Sequence, residues 1–141
     1  MMDESDVQRI IKYPHSMIAS DGLPHDHHPH PRLWGTFPRV LGKYSREENL
    51  ISLEDAVYRM SGKPAEVFGL SGRGEVAVGN FADMVVFNPD TVIDKADFEN
   101  PMEPAAGIDA VFVNGQAVYR DGASTGARPG KALKRQSSAA Y

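Results

Sequence analysis

A chain of 141 residues, 41% apolar and 24% charged, is long enough for a compact domain with a real core and has the composition of a soluble globular protein. Its net charge of -4, with both signs scattered, argues against nucleic acid as a partner, and no apolar run approaches the roughly 18 residues a membrane span needs. The absence of cysteine excludes a disulfide framework and thiolate ligands. With an acidic opening, Met1-Met2-Asp3-Glu4-Ser5-Asp6, that is unlike a targeting signal, the cytoplasm is the expected location.

The chain begins with a short helix. Val7, Ile10 and Ile11 fall at i, i+3 and i+4, the acidic residues before them supply cap and N-terminal charge, and Pro14 ends the segment. His15 to Ser20 is then a brief apolar run that reads as a buried strand closed by Asp21-Gly22. From Leu23 to Gly35 the pattern is irregular, with proline and histidine prominent. Thr36 is placed to cap a helix reaching about Arg46, with Pro38 in its first turn. Ser52-Leu53-Glu54-Asp55 resembles a capping box, and Leu53, Ala56, Val57 and Met60 form an apolar stripe ending at Gly62. Pro64 opens one more helical turn and Gly69 closes it.

Near Gly72 the period changes from helical to alternating. Glu75 to Val78 and Phe81 to Phe87 read as strands joined by Gly79-Asn80, and a looser loop covers Asn88 to Gly107. Asp109 to Val113 and Gln116 to Tyr119 flank Asn114-Gly115, the strongest short-range hairpin signal because both residues accept positive φ. After Gly122 the tail is small and polar, and its last ten residues are expected to be disordered. The expected class is therefore α+β, divided as residues 1–70, mostly helical around one βα unit, and residues 71–141, a small antiparallel β-sandwich-like unit with a disordered tail.

Several of these segments together carry a resemblance. Gly72 to Phe87 resembles the signature with which amidohydrolase-superfamily enzymes leave their barrel and complete a small β-sandwich, and Val111-Phe112-Val113-Asn114-Gly115 resembles the next element. Met17-Ile18-Ala19-Ser20-Asp21-Gly22-Leu23-Pro24 is similar to the last barrel strand of N-acyl-D-amino-acid deacylases. His28 to Gly42 and Thr125-Gly126-Ala127-Arg128-Pro129-Gly130 match later parts of that family in the right order. The resemblance runs from about Val7 to Leu133 and marks the chain as the carboxy-terminal portion of such an enzyme.

The resemblance implies a zinc-bearing (β/α)₈ barrel, of which residues 1–70 would hold the last βα unit, and hydrolysis of a linear amide, N-acyl-D-amino acid to carboxylate and D-amino acid. It implies that Asp21 is the catalytic residue, taking a proton from the attacking water and returning it to the leaving amine. The family's metal ligands come mostly from earlier strands, so zinc is expected in the parent family and at no complete catalytic site in this chain. Two His-x-His runs, His25-Asp26-His27 and His28-Pro29-His30, follow the last strand in a proline-rich loop; solvation or adventitious binding is the expectation there. Asp83 reads as a structural turn or cap, Trp34, Phe37 and Tyr44 as core or subunit contact, and Arg32 and Arg39 as residues that could reach a substrate carboxylate.

Three functions follow: a fragment inactive alone, a subunit completing a barrel supplied by a missing N-terminal barrel chain, or a non-catalytic binding or assembly module. Strands and stripes shaped to pack on other parts suggest a homo-oligomer.

Overall fold

The computed structural model describes residues 3–134. The class is α+β: four α-helices and one π-helical segment precede a four-stranded antiparallel sheet of order β1-β2-β3-β4. The chain forms two compact units that do not meet at a single cut near residue 70. One runs to Met60 and takes back Asn88–Gly107; the other holds Ser61–Phe87 and the chain from Ile108 onward.

In the first unit, helix α1 (Glu4–Lys12) starts where the acidic residues predict, with the Asp3 carboxylate accepting from the Ser5 amide. The expected strand at Met17–Ser20 is not formed. Residues 16–22 alternate between half-buried and exposed, as an extended segment does, yet the one backbone bond made by residues 17–20 is Ile18 N–H to the Arg59 carbonyl at 3.2 Å. A strand needs a neighbouring strand, and the described residues place none beside it.

The next helix begins earlier than expected. Helix α2 spans Arg32–Arg39, so Pro38 lies inside it and Thr36, rather than capping, donates its hydroxyl to the Arg32 carbonyl at 2.8 Å. A proline there cannot donate to the Trp34 carbonyl. The chain continues as a π-helical segment, Val40–Glu47, in which Val40, Leu41, Gly42, Tyr44 and Ser45 are all buried. Gly42 has a packing reason: a Cβ on it would stand 2.5 Å from the Val92 carbonyl oxygen and 3.1 Å from the Ile93 Cα.

The segment read as a loose loop is part of this core. Val92 is 0% exposed and Ala96 is buried. Arg46 donates to the Pro89 and Val92 carbonyls at 3.1 and 2.6 Å. Asx turns at Asn88 and Asp97 shape its corners, and Ile93 bridges Ala106. Local side-chain bonds of this kind order a segment without any hydrophobic period that could be read in advance.

Helix α3 (Leu53–Met60) keeps half of its capping box. Ser52 Oγ accepts from the Asp55 amide, while the Asp55 carboxylate turns to Arg59 at 2.6 Å. Its buried face is rotated from the expected stripe: Ala56 and Arg59 are buried and Val57 is exposed.

In the second unit, Gly62 opens helix α4 (Gly62–Phe68) rather than stopping α3, and Gly69 closes it at φ 65. The expected strand Glu75–Val78 is absent, and Val78 stands wholly exposed; only Met84–Phe87 forms β1. Strand β2 (Ile108–Val113) pairs with β1 and with β3 (Gln116–Arg120), and β4 (Ala123–Ser124) adds a short edge. The β2–β3 turn takes the expected form, with Asn114 at φ 47 and Gly115 at φ 79. Asp83 has the structural role read for it: one carboxylate oxygen accepts from the Asn114 amide at 2.7 Å and the other pairs with Arg73. The disorder expected for the last ten residues falls, from residue 135 onward, outside the described residues.

Two expectations follow. Gly42→Ala should cost the first unit about 1–3 kcal/mol, because backbone on both sides must move, and urea denaturation measures it. The second concerns pH. The hydrogen bond from Lys43 holds Glu4 below the ordinary glutamate range, the same bond raises Lys43, and burial pushes the Tyr44 phenol up. A lowered acid contributes stability above its ordinary range and loses it as pH falls; a raised lysine or tyrosine contributes below its range and loses it as pH rises. Stability from these groups should be level across neutral pH, falling below about pH 4 and above about pH 10. Tyr44→Phe should blunt the alkaline fall and Glu4→Gln the acid one in a urea midpoint series.

Candidate functional site

Asp21 sits at the end of the extended segment with φ 49, a left-handed conformation that a short polar side chain tolerates. Ser20 Oγ accepts from the Gly22 amide at 3.3 Å, closing the turn. Gly22 allows close approach to the start of α2: a Cβ there would lie 3.0 Å from the Leu33 Cα. That approach brings Asp21 Oδ2 to 2.9 Å from Arg32 Nη2, with the Asp21 side chain still 77% exposed.

The two arginines considered for a substrate carboxylate therefore have different situations. Arg32 is paired with Asp21, and its Nε is buried without a partner. Arg39 is held at 3.0 Å by Asp94, a carboxylate with little exposure. The aromatic group divides as well: Tyr44 is buried, while Trp34 and Phe37 are exposed.

The histidine loop offers no donor set. A carbonyl can only accept, so His28 Nε2 donates to the Phe98 carbonyl at 2.9 Å. His30 Nδ1 accepts from the Arg32 amide at 3.1 Å, and its ring meets the Phe98 ring edge-on with centroids 5.0 Å apart. Both rings are thus oriented by protein partners. Among the described residues, no group of three or more His, Cys, Asp or Glu side chains is placed to hold a metal ion. The residues present do not fit a zinc site.

What the sequence reading missed is Arg59, which is 4% exposed. Its Nη1 donates to the carbonyls of Ile11 at 2.6 Å and Tyr13 at 2.8 Å and to Ser16 Oγ at 3.0 Å, while Nη2 pairs with Asp55. The i,i+4 spacing of Asp55 and Arg59 was the available signal, but it reads equally well as a solvated surface pair.

Comparison with known proteins places the chain in a family. The amidohydrolase family model matches residues 5–119, and the chain belongs to that family. It is 58% identical to the D-aminoacylase of Alcaligenes xylosoxydans xylosoxydans over 96% of its own length and 28% of that protein's. It is 53% identical to the N-acyl-D-glutamate deacylase of the same organism, over 99% of this chain and 28% of the relative. A solved D-aminoacylase, described as defining a novel subset of amidohydrolases, matches with a TM-score of 0.94 and 59% identity over 96% of this chain and 28% of that one. The N-acyl-D-glutamate deacylase of Bordetella bronchiseptica, complexed with zinc and a phosphonate mimic of the tetrahedral intermediate, matches with a TM-score of 0.88 and 51% identity, over 94% and 28%. The chain thus spans little more than a quarter of the length of these relatives. In the described residues no helix is long and apolar enough to cross a membrane.

The geometry at Asp21 makes a stability prediction. Its ion pair is solvent-exposed and asparagine tolerates the same φ, so Asp21→Asn should change unfolding free energy by less than about 1 kcal/mol. Chemical denaturation tests this and establishes whether the variant serves as a clean functional control.

Proposed function

We propose that the chain is the carboxy-terminal portion of a zinc-dependent amidohydrolase that converts N-acyl-D-amino acids to a carboxylate and a D-amino acid, and that Asp21 is its proton-transfer residue. The observation that carries the reading is the high identity to deacylases of this specificity across nearly the whole chain. On this reading the extended segment ending at Asp21 corresponds to the last strand of a (β/α)₈ barrel, and the sheet of the second unit to part of a β-sandwich. Barrel enzymes place their chemistry at the C-terminal ends of strands, and on this reading Asp21 would follow such an end in the complete barrel.

Amide hydrolysis adds water across the C–N bond: a proton leaves the water and another must reach the departing nitrogen. A carboxylate exposed on one side can do both in turn. Zinc, when bound, polarises the carbonyl and acidifies water. The described residues bring no three His, Asp or Glu side chains together to hold it, so turnover is expected only when further residues complete the site. A barrel chain supplied separately, or a homo-oligomer, would find an apolar surface on the second unit, where Val76, Val78, Phe81 and Val85 are exposed. A cytoplasmic location suits a chain without cysteine.

The test is release of free D-amino acid from several N-acetyl-D-amino acids with zinc added. The chain alone should stay at background. Addition of a separately expressed deacylase barrel should bring turnover that Asp21→Asn lowers by about 10²–10⁴-fold. Turnover with the barrel that is indifferent to Asp21→Asn would refute the role of Asp21. No turnover in any combination, with association demonstrated, would favour a non-catalytic assembly module.

A further inference from the structure

We infer that Arg59 is a positioning residue for Asp21, an inference that rests on the catalytic reading of Asp21 given above. The observation is where the contacts of Arg59 fall. Apart from Asp55 on its own helix, every acceptor of its guanidinium lies on the stretch leading to Asp21: the Ile11 and Tyr13 carbonyls and Ser16 Oγ. Its backbone carbonyl then takes the Ile18 amide, three residues before Asp21. Side chain and main chain of one residue thus fasten the chain at successive points from the end of α1 to Ile18.

Between Ile18 and the start of α2, the chain next to Asp21 is fixed by the Ser20–Gly22 turn and by the approach of Gly22 to Leu33, and further on His28 bonds the Phe98 carbonyl and His30 packs on the Phe98 ring. The segment is held at both ends, by Arg59 behind and by Arg32 and Leu33 ahead, with Asp21 between them. A general acid–base residue has to be held within a few tenths of an ångström of its working position, which such a clamp provides.

Filling space does not account for Arg59. Its guanidinium is buried and its Nε has no partner among the described residues. An apolar side chain of similar volume would fill the site without that desolvation cost. What such a side chain could not do is bind oxygens at the end of α1 and at Ser16 together, and lysine, with a single ammonium on a flexible stem, does so poorly.

The test reads Asp21 directly. In the full chain labelled with ¹³C at aspartate, the Asp21 carboxyl resonance and the exchange rate of the Ile18 amide are followed in Arg59→Met, Arg59→Lys and Ser16→Ala. In Arg59→Met, Ile18 exchange should quicken by about tenfold more than exchange in α2 and the π-helical segment, and the Asp21 resonance should move. Arg59→Lys should fall between Arg59→Met and the parent. Ser16→Ala, which removes the hydroxyl that accepts from Arg59 and donates to the Tyr13 carbonyl, should shift the same two signals less, and it decides the matter if Arg59→Met does not fold. A uniform rise in exchange across the first unit, or an Asp21 resonance unmoved in Ser16→Ala and Arg59→Met, would overturn the inference.

In any combination of chains that turns over, Arg59→Met should lower kcat at least about tenfold with KM little changed. An unchanged kcat beside an inactive Asp21→Asn would sink the role of Arg59 alone. An active Asp21→Asn would sink the catalytic reading instead, whatever the resonances show.

Discussion

A guanidinium removed from water must find acceptors for its donors, and Arg59 finds them by drawing three stretches of the first unit together. The end of α1, the extended segment behind Asp21 and the start of α3 all supply oxygens to it. Hydrogen bonds to a charged group are worth about 1.5–3 kcal/mol each when made, and leaving such a group buried and unpaired is costlier still. The arrangement is therefore close to all-or-none: the segment is in place or the charge must return to solvent. Gly42 and Val92 impose a further constraint within that unit, where backbone meets backbone too closely for any side chain.

The second unit solves the same problem with a carboxylate. Asp83 joins Arg73 to the Asn114 amide, and Asn114 in turn donates its side-chain amide to the Pro129 carbonyl at 2.7 Å. Arg73 also donates to Asn114 Oδ1 at 2.8 Å and lies over the Phe81 ring. This polar clasp fixes the hairpin turn and the strand entry while the apolar residues around it stay largely exposed. A sheet with only a thin core of its own is ordered here by directional bonds more than by burial.

Local chemistry was legible in the sequence, and long-range pairing was not. The Asp3 cap, the Gly69 stop and the Asn114-Gly115 turn each depend on one or two adjacent residues, and each was found where the residues placed it. The strands expected at Met17–Ser20 and Glu75–Val78 failed for the opposite reason, since alternation describes one side of a pairing and the described residues provide no other side. The boundaries of α2 and the π-helical segment depended on burial against the stretch around Val92, some fifty residues later in the chain, which no local window contains. Of the candidate site, Asp21 was reached through the family resemblance, whereas Arg59 was hidden by its residue type: arginine on a helix reads as surface unless its distant acceptors are known.

The same property explains why an Asp-Gly pair can serve both as a turn and as a place for chemistry. Aspartate tolerates positive φ because its side chain is short and polar, and glycine lets the next peptide lie against a helix. At Asp21 the two features turn the carboxylate outward while the backbone is fixed from within. A carboxylate fixed by its own hydrogen bonds would have its lone pairs occupied and little left to offer water or a leaving group. One fixed through its neighbours keeps them available, and apart from the ion pair to Arg32 that is the state of Asp21. On the proposed reading, holding and reacting are assigned to different residues, so the group that moves the proton need not be the group that keeps it in place.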